Sequence, residues 1–346
     1  MKIFKCLCLT LTFFAFGVEA FSYRSCFGFP AKWKDNRTTM HLNTVSFRVG
    51  GTWDRQFQEV MNAWNDVKGS NFKFILGRDR DDSVSNRNRK NEVAFVSEGK
   101  NGYVAITSRR YSCPPRGNVG KITEMDIYFN VDKQFNTRNF LGTYDDIYKG
   151  YNFRIVALHE LGHALGLEHQ DNRVATMNTL YYSGGPNGHY SKVEPHADDR
   201  RGVRYLYPDS SYGRDISASR YKYYRNGTIR GKVYNSRGRE TRYLTRGSKY
   251  SLDYVIQNLG TVSESPRVNF YISKNDYISK YDKYVGSTSW RMPPGSTAQS
   301  RKTFTVPSNL TPGKYYIGFV VDPNKAIPED SETNNFVSLF DSITIQ

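Results

Sequence analysis

The stretch His159-Glu160-Leu161-Gly162-His163-Ala164-Leu165-Gly166-Leu167-Glu168-His169 decides how the N-terminal half of this chain is read. The apolar pattern around it predicts a helix over roughly Asn152 to Leu165. On a helix, His159 and His163 stand one turn apart and share a face. Two neutral imidazoles so placed can hold one zinc ion. Glu160 follows the first of them, so its carboxylate can reach a water beside the ion without ligating it. Gly166 can leave the helix through the left-handed region, which a side chain would disfavour. The chain can then bring His169 back to the same ion. Three histidines leave a fourth position open for water, the pattern of a catalytic rather than a structural zinc site. The competing reading is a plain helix with surface histidines. Five fixed positions using two rare residue types make that coincidence remote.

Outward from this helix, helix and strand signals alternate. Thr52 is placed to cap a helix along which Trp53, Phe57, Val60, Met61 and Trp64 recur at helical spacing. Short strand-like runs follow at Phe72–Leu76, Val93–Val96, Tyr103–Thr107 and Ile122–Phe129. A further helix is expected from near Pro195 to Tyr205. This order predicts an α/β (α+β) domain with one twisted sheet over residues 21–209.

From about residue 240 the helical period disappears. Tyr250–Ile256, Val268–Ile272, Thr303–Val306, Tyr315–Val321 and Phe336–Ile345 read as strands. Turn signals at Asn258-Leu259-Gly260, Pro293-Pro294-Gly295 and Thr311-Pro312-Gly313 separate them. An all-β sandwich over 241–346 is the expectation. Residues 210–240 read as a basic linker, within a stretch from Arg214 to Lys249 that holds eleven Lys or Arg against Asp215 and Glu240. Such a block is either solvated or holds the protein on an acidic envelope or matrix polymer. No base-reading module accompanies it, so no specific nucleic-acid partner is expected.

The 346 residues suit two domains. With 38% hydrophobic and 24% charged residues, the chain is not disordered by composition, and its formal charge of +16 disfavours cationic partners. No apolar run reaches the ~18–20 residues of a membrane span, so an integral membrane protein is not expected. Lys2 and Lys5 precede an apolar stretch from Cys6 to Val18, and Val18-Glu19-Ala20 offers small residues at cleavage positions. This is the pattern of a secretory signal cut near Ala20-Phe21, giving an extracellular or periplasmic protein. Cys26 and Cys113 then remain, and an even count in an exported chain reads as one disulfide. A free thiol capping the metal is the alternative.

The elongated zinc motif resembles that of the metzincin metallopeptidases, and Thr176-Met177-Asn178 resembles their Met-turn. Within that group the chain is most similar to the matrixins. Asp198-Asp199-Arg200-Arg201-Gly202-Val203-Arg204-Tyr205-Leu206-Tyr207 resembles the matrixin C-terminal helix with its paired aspartates, and Glu124-Met125-Asp126-Ile127-Tyr128-Phe129-Asn130 resembles a strand of the family. Two departures stand out. Gln170 takes the place of the Ser usual after the third histidine, and the His-Gly-Asp stretch of the animal enzymes' second zinc site has no counterpart. At the other end, Val255 to Thr261, Phe270 to Ser273, Gly313 to Ile317 and Glu332 to Asn335 resemble a CARDB module, a bacterial Ig-like sandwich. Asp276, Asp282, Glu329, Asp330 and Glu332 there raise calcium, though acidic turn residues are more often simply solvated.

The resemblance implies a secreted endopeptidase acting on protein or peptide substrates. Zinc would be held by His159, His163 and His169, with Glu160 as base and then acid, and Met177 as an apolar floor. By analogy with the metzincins, substrate would extend along an edge strand at Tyr103, Val104 and Ala105 on to Thr107. Tyr181 and Tyr182 would wall the pocket beyond the cleaved bond, or belong to the core. Every candidate ligand precedes Asp209, so the first domain alone is expected to act on short peptides. The alternative is a surface-binding or adhesive protein whose zinc domain is secondary or inactive.

Overall fold

The computed structural model describes residues 21–80, 85, 87–115, 118–137, 150–179, 193–224, 227–339 and 342–346. The expected signal segment 1–20, Tyr181 and Tyr182 lie outside them. One mixed sheet organises the first domain. Its strands are β1 (Ser25–Cys26), β2 (Phe29–Lys32), β3 (Arg37–Asn43), β4 (Lys73–Asp79), β5 (Asn91–Val96), β6 (Ala105–Ser112) and β7 (Gly120–Asn130). β4, β3, β5 and β7 lie side by side and parallel, and β2 joins β7 at Gly120 and Lys121. β6 runs antiparallel along the other side of β7 and pairs with no further strand among the described residues. Among the described residues it is an edge strand of the sheet. β3 has no counterpart among the expected strands, yet Thr38, Met40 and Leu42 alternate into the core as a half-buried strand requires.

The helices are α1 (Thr52–Asn65), α2 (Phe153–Ala164) and α3 (Ala197–Leu206). Thr52 is the first residue of α1 and not its cap. Gly51 takes the cap position, and Asp54 accepts from Gly50 N at 2.8 Å to fix the entry. Phe57, Val60, Met61 and Trp64 are buried, while Trp53 packs half-buried against Phe95 and Phe153. Phe47, Phe57, Phe129 and Phe153 fill the space between α1, α2 and the sheet. Cys26 and Cys113 form a disulfide, with Cα atoms 5.3 Å apart.

The second domain is a sandwich. Strands Ile216–Ser219, Lys249–Asn258, Val233–Tyr234 and Thr297–Thr305 form one sheet. Tyr243–Leu244, Arg267–Ser273, Lys283–Ser289, Gly313–Val321, Phe336–Ser338 and Ile343–Ile345 form the other. Tyr254 of the first sheet meets Phe270 and Phe319 of the second in the core. The expected single strand Phe336–Ile345 is two, each paired with a different part of Gly313–Val321.

The basic stretch is not a linker. Ile216–Ser219 and Val233–Tyr234 pair with Lys249–Asn258, so two parts of 210–240 are strands of the sandwich, with a separate hairpin of Tyr221–Tyr224 and Gly227–Arg230 between them. Its cations are partly consumed there. Lys222 reaches the fully buried Asp253 at 2.7 Å, Arg214 reaches Glu264 at 3.0 Å, and buried Arg220 donates to Ser338 O. Two of the acids considered for calcium, Glu329 and Asp282, are employed locally. Glu329 is half-way into the core, accepting from Ile216 N and Asn335 Nδ2, while Asp282 closes a turn on Ser279.

Candidate active site

α2 is held at both ends. Asn152 caps its start by accepting from Arg154 N at 3.1 Å. At its far end the helix leaves carbonyls without partners along the chain. Trp33 Nε1 donates to Ala164 O at 2.8 Å, and Tyr207 Oη donates to Leu165 O at 2.8 Å. Gly166 then turns the chain at φ +100°, where an added Cβ would stand 2.8 Å from Ala31 O. The loop beyond it is fixed by the start of the domain. Arg24 N donates to Gly166 O, Glu168 N donates to Ser22 O, and Glu168 pairs with Arg109 at 2.7 Å. His169 is thus delivered by a loop held on three sides.

The three imidazoles converge. Nε2 of His169 lies 3.2 Å from Nε2 of His159 and 3.1 Å from Nε2 of His163. A tetrahedral ion with Zn–N distances of about 2.0–2.1 Å places its ligand atoms about 3.3 Å apart, so the spacing fits. The tautomers fit as well. His159 Nδ1 is 2.9 Å from Thr176 O, and His163 Nδ1 is 2.9 Å from Leu167 O. Carbonyls only accept, so each Nδ1 carries the proton and each Nε2 presents a lone pair. Burial first, and for His163 and His169 also the His159 charge, hold these imidazoles below their ordinary pKa, His163 down to about 2. Neutral ligating forms are therefore favoured. Among the described residues this is the one group of three or more His, Cys, Asp or Glu side chains able to share an ion.

Met177 is buried directly beneath α2. A Cβ on Gly162 would fall 2.3 Å from Met177 Sδ, so the glycine gives the sulfur its seat. The Met-turn is held from α3. Asp199 accepts from Thr176 N at 2.6 Å and from Met177 N at 3.1 Å. Glu160 is buried against β6, where Thr107 Oγ1 donates to its Oε2 at 2.6 Å. Burial pushes the Glu160 carboxyl up to about 7, against the lowering effect of the Thr107 bond and of His169 and Arg109.

These groups open onto a cleft of about 460 Å³. Tyr103, Val104, Ala105 and Thr107 line one wall, with Ile155, Val156, the three histidines, Glu160 and Thr179 around it. Tyr103 is largely exposed, and the strand proper begins at Ala105 and continues to Ser112, later than expected. Thr179 is turned into hydrogen bonds with Asp171. Thr107, Arg109 and the bracing role of Asp199 were not singled out from the sequence. Their partners lie 53, 59 and 23 residues away, and nothing local marks them.

Comparison with known proteins follows this division. The family described as Matrixin matches residues 32–208, and CARDB matches residues 232–339. Human matrix metalloproteinase-20 is 28% identical over 188 residues, covering 54% of this chain and 34% of its own length. Human matrix metalloproteinase-26 is 24% identical over 181 residues, covering 51% and 61%. Rabbit (Oryctolagus cuniculus) macrophage metalloelastase is 29% identical over 151 residues, covering 43% and 28%. The chain thus spans less than two thirds of the length of these curated relatives. Among solved structures, the CARDB domain of a Pyrococcus furiosus protein, determined with two metal ions, matches at 14% identity with a TM-score of 0.27, covering 40% of this chain and 97% of that one. A likeness of that strength adds nothing to the assignment. The match over half the chain does: the protein belongs to the matrixin family, its first domain being the matrixin unit and its second a CARDB domain.

Proposed function

We propose that this protein is an exported zinc-dependent endopeptidase. The observation that carries the reading is Glu160 set beside three converging Nε2 atoms at the floor of an open cleft. Bound zinc would lower the pKa of a water and polarise the scissile carbonyl. The chain's own residues supply the rest. Glu160 is a base suited to neutral pH, taking a proton from the attacking water and returning it to the leaving amine. Thr107 keeps the acting carboxylate oriented. As the edge strand of the sheet among the described residues, β6 would offer backbone groups to an extended peptide, holding many sequences in one register. Glu160→Ala should keep zinc, measured by metal analysis, and lose nearly all chelator-sensitive hydrolysis of a casein-type substrate. Wild-type hydrolysis by that variant would remove Glu160 from the mechanism.

A second reading, retention on an acidic polymer, is favoured by a different surface from the one the sequence suggested. Lys34, Arg37, Arg87, Arg89, Arg110 and Lys121 outnumber Asp35 and Glu124 around an open pocket of about 770 Å³ on the first domain. Binding there would rest on screened charge and fall steeply with salt. Arg87→Ala with Arg89→Ala should elute from heparin at clearly lower salt than the parent. Unchanged elution would return these cations to ordinary surface charge.

A further inference from the structure

The two domains share a polar, buried seam at the start of α3. Gln257, fully buried near the end of strand Lys249–Asn258, places Oε1 3.2 Å from His196 Nδ1 and accepts from Ala197 N at 3.3 Å. Ala197 N is one of the helix N–H groups that no residue of α3 can satisfy, and here the other domain satisfies it. His196 N in turn donates to Asp199 Oδ2 at 3.2 Å. The same carboxylate holds Thr176 N and Met177 N, and Thr176 O receives His159 Nδ1. Every link is within hydrogen-bond distance, and His196, Gln257 and Asp199 are almost entirely removed from water. Around this line the seam is closed by Arg200, which pairs with Glu194 at 2.7 Å and lies 3.7 Å from Asp215. One turn further along α3, Arg204 Nη1 donates to Gly260 O at 2.8 Å and Nη2 donates to Leu259 O.

From this arrangement we infer that Gln257 of the CARDB domain is a positioning residue of the metal centre, acting through the first turn of α3 and the Met-turn on the orientation of His159. The inference rests on the zinc reading above. Its physical content is that Asp199 can serve three N–H donors only while the start of α3 is fixed, and the first turn of α3 takes part of its fixation from the second domain. A chain ending at Asp209 keeps all three histidines and loses that support. On this inference the first domain by itself binds zinc more weakly than the full chain. Groups outside a ligand shell that orient the ligands commonly change metal affinity by about 10–100-fold when removed.

The test uses the full chain with Gln257→Leu, which keeps volume and removes the acceptor, beside Arg204→Ala, which weakens the same seam without touching Asp199. Zinc affinity by competition with a chelating dye, and the visible spectrum of the cobalt-substituted protein, read the three-histidine site without relying on turnover. Melting temperature reads the seam. Gln257→Leu should weaken zinc about tenfold and alter the cobalt bands, while Arg204→Ala should lower the melting temperature and leave both unchanged. If both variants lower only the melting temperature, or both disturb the spectrum alike, Gln257 has no specific positioning role. Should Gln257→Leu fail to fold, Gln257→Asn, which draws the acceptor back from α3, carries the same comparison. A parent protein that binds neither zinc nor cobalt would instead overturn the zinc reading itself.

Discussion

Gly162→Ala sets two effects of known sign against each other. In a helix interior, alanine is favoured over glycine by about 1 kcal/mol. Gly162 sits inside α2, so propensity alone predicts a more stable protein. Packing opposes it. The new methyl would lie 2.3 Å from Met177 Sδ and 3.2 Å from Trp64 Cζ2. Ordinary contact needs roughly 3.5–4.0 Å, so the sulfur must withdraw by more than about 1 Å. Met177 cannot do so by shifting its backbone, because Asp199 holds its N–H and that of Thr176. Overpacking of this kind typically costs about 1–3 kcal/mol, which outweighs the propensity gain. Gly162→Ala should therefore destabilise the parent by about 1 kcal/mol net. In a Met177→Ala background the sulfur clash is gone and only the milder 3.2 Å contact with Trp64 remains, so the same substitution should be neutral or stabilise by up to about 1 kcal/mol. Denaturant unfolding of the four proteins, with zinc removed by chelation, gives the cycle. If Gly162→Ala stabilises both backgrounds equally, Met177 does not sit against α2 as described.

Thr107→Val should keep zinc but lower kcat/KM several-fold. Its hydroxyl lowers the Glu160 pKa by favouring the charged form, so its loss should move the acid limb of the pH–rate profile to higher pH. An unmoved limb would show that the bond does not reach the reacting carboxylate. His196 is held neutral by burial, which brings its pKa down to about 4. The folded state therefore resists the proton that the unfolded chain accepts near its ordinary pKa of about 6.5. The associated stability is complete above about pH 6.5 and falls away as pH drops towards 4, by roughly 2–3 kcal/mol. His196→Asn should flatten that loss, seen by comparing denaturation midpoints at pH 7 and 4.5. An equally steep decline in the variant would place the acid sensitivity elsewhere.

The helix that carries the histidines was legible because its signal is local: spacing, and a glycine where the chain must turn. The sandwich was legible for the same reason, through short runs punctuated by Gly and Pro. What escaped depends on partners far along the chain. Lys222 reads as solvated until Asp253 is found fully buried beneath it, and so the segment read as a linker although it carries strands. β3 escaped because only Met40 and Leu42 of its inward-facing set are apolar, Thr38 being polar, and parallel pairing with β4 and β5 supplies what composition does not. Gly51 caps α1 in place of Thr52 because Asp54 already secures the turn.

The bonds from Ser22 and Arg24 to the loop of Gly166 and Glu168 close a span of most of the domain. The brace from Asp199 comes later still in the sequence, and Gln257 later again. Of the residues that aim His159, Glu160 and His163, a chain leaving the ribosome has by then made Arg24, Trp33 and Thr107, while Thr176, Asp199 and Gln257 are still to come. Closures over such separations are late events in folding, because loop entropy must be overcome before they are rewarded. The three-histidine site is thus supported from both directions along the chain, and its last supports are the last made.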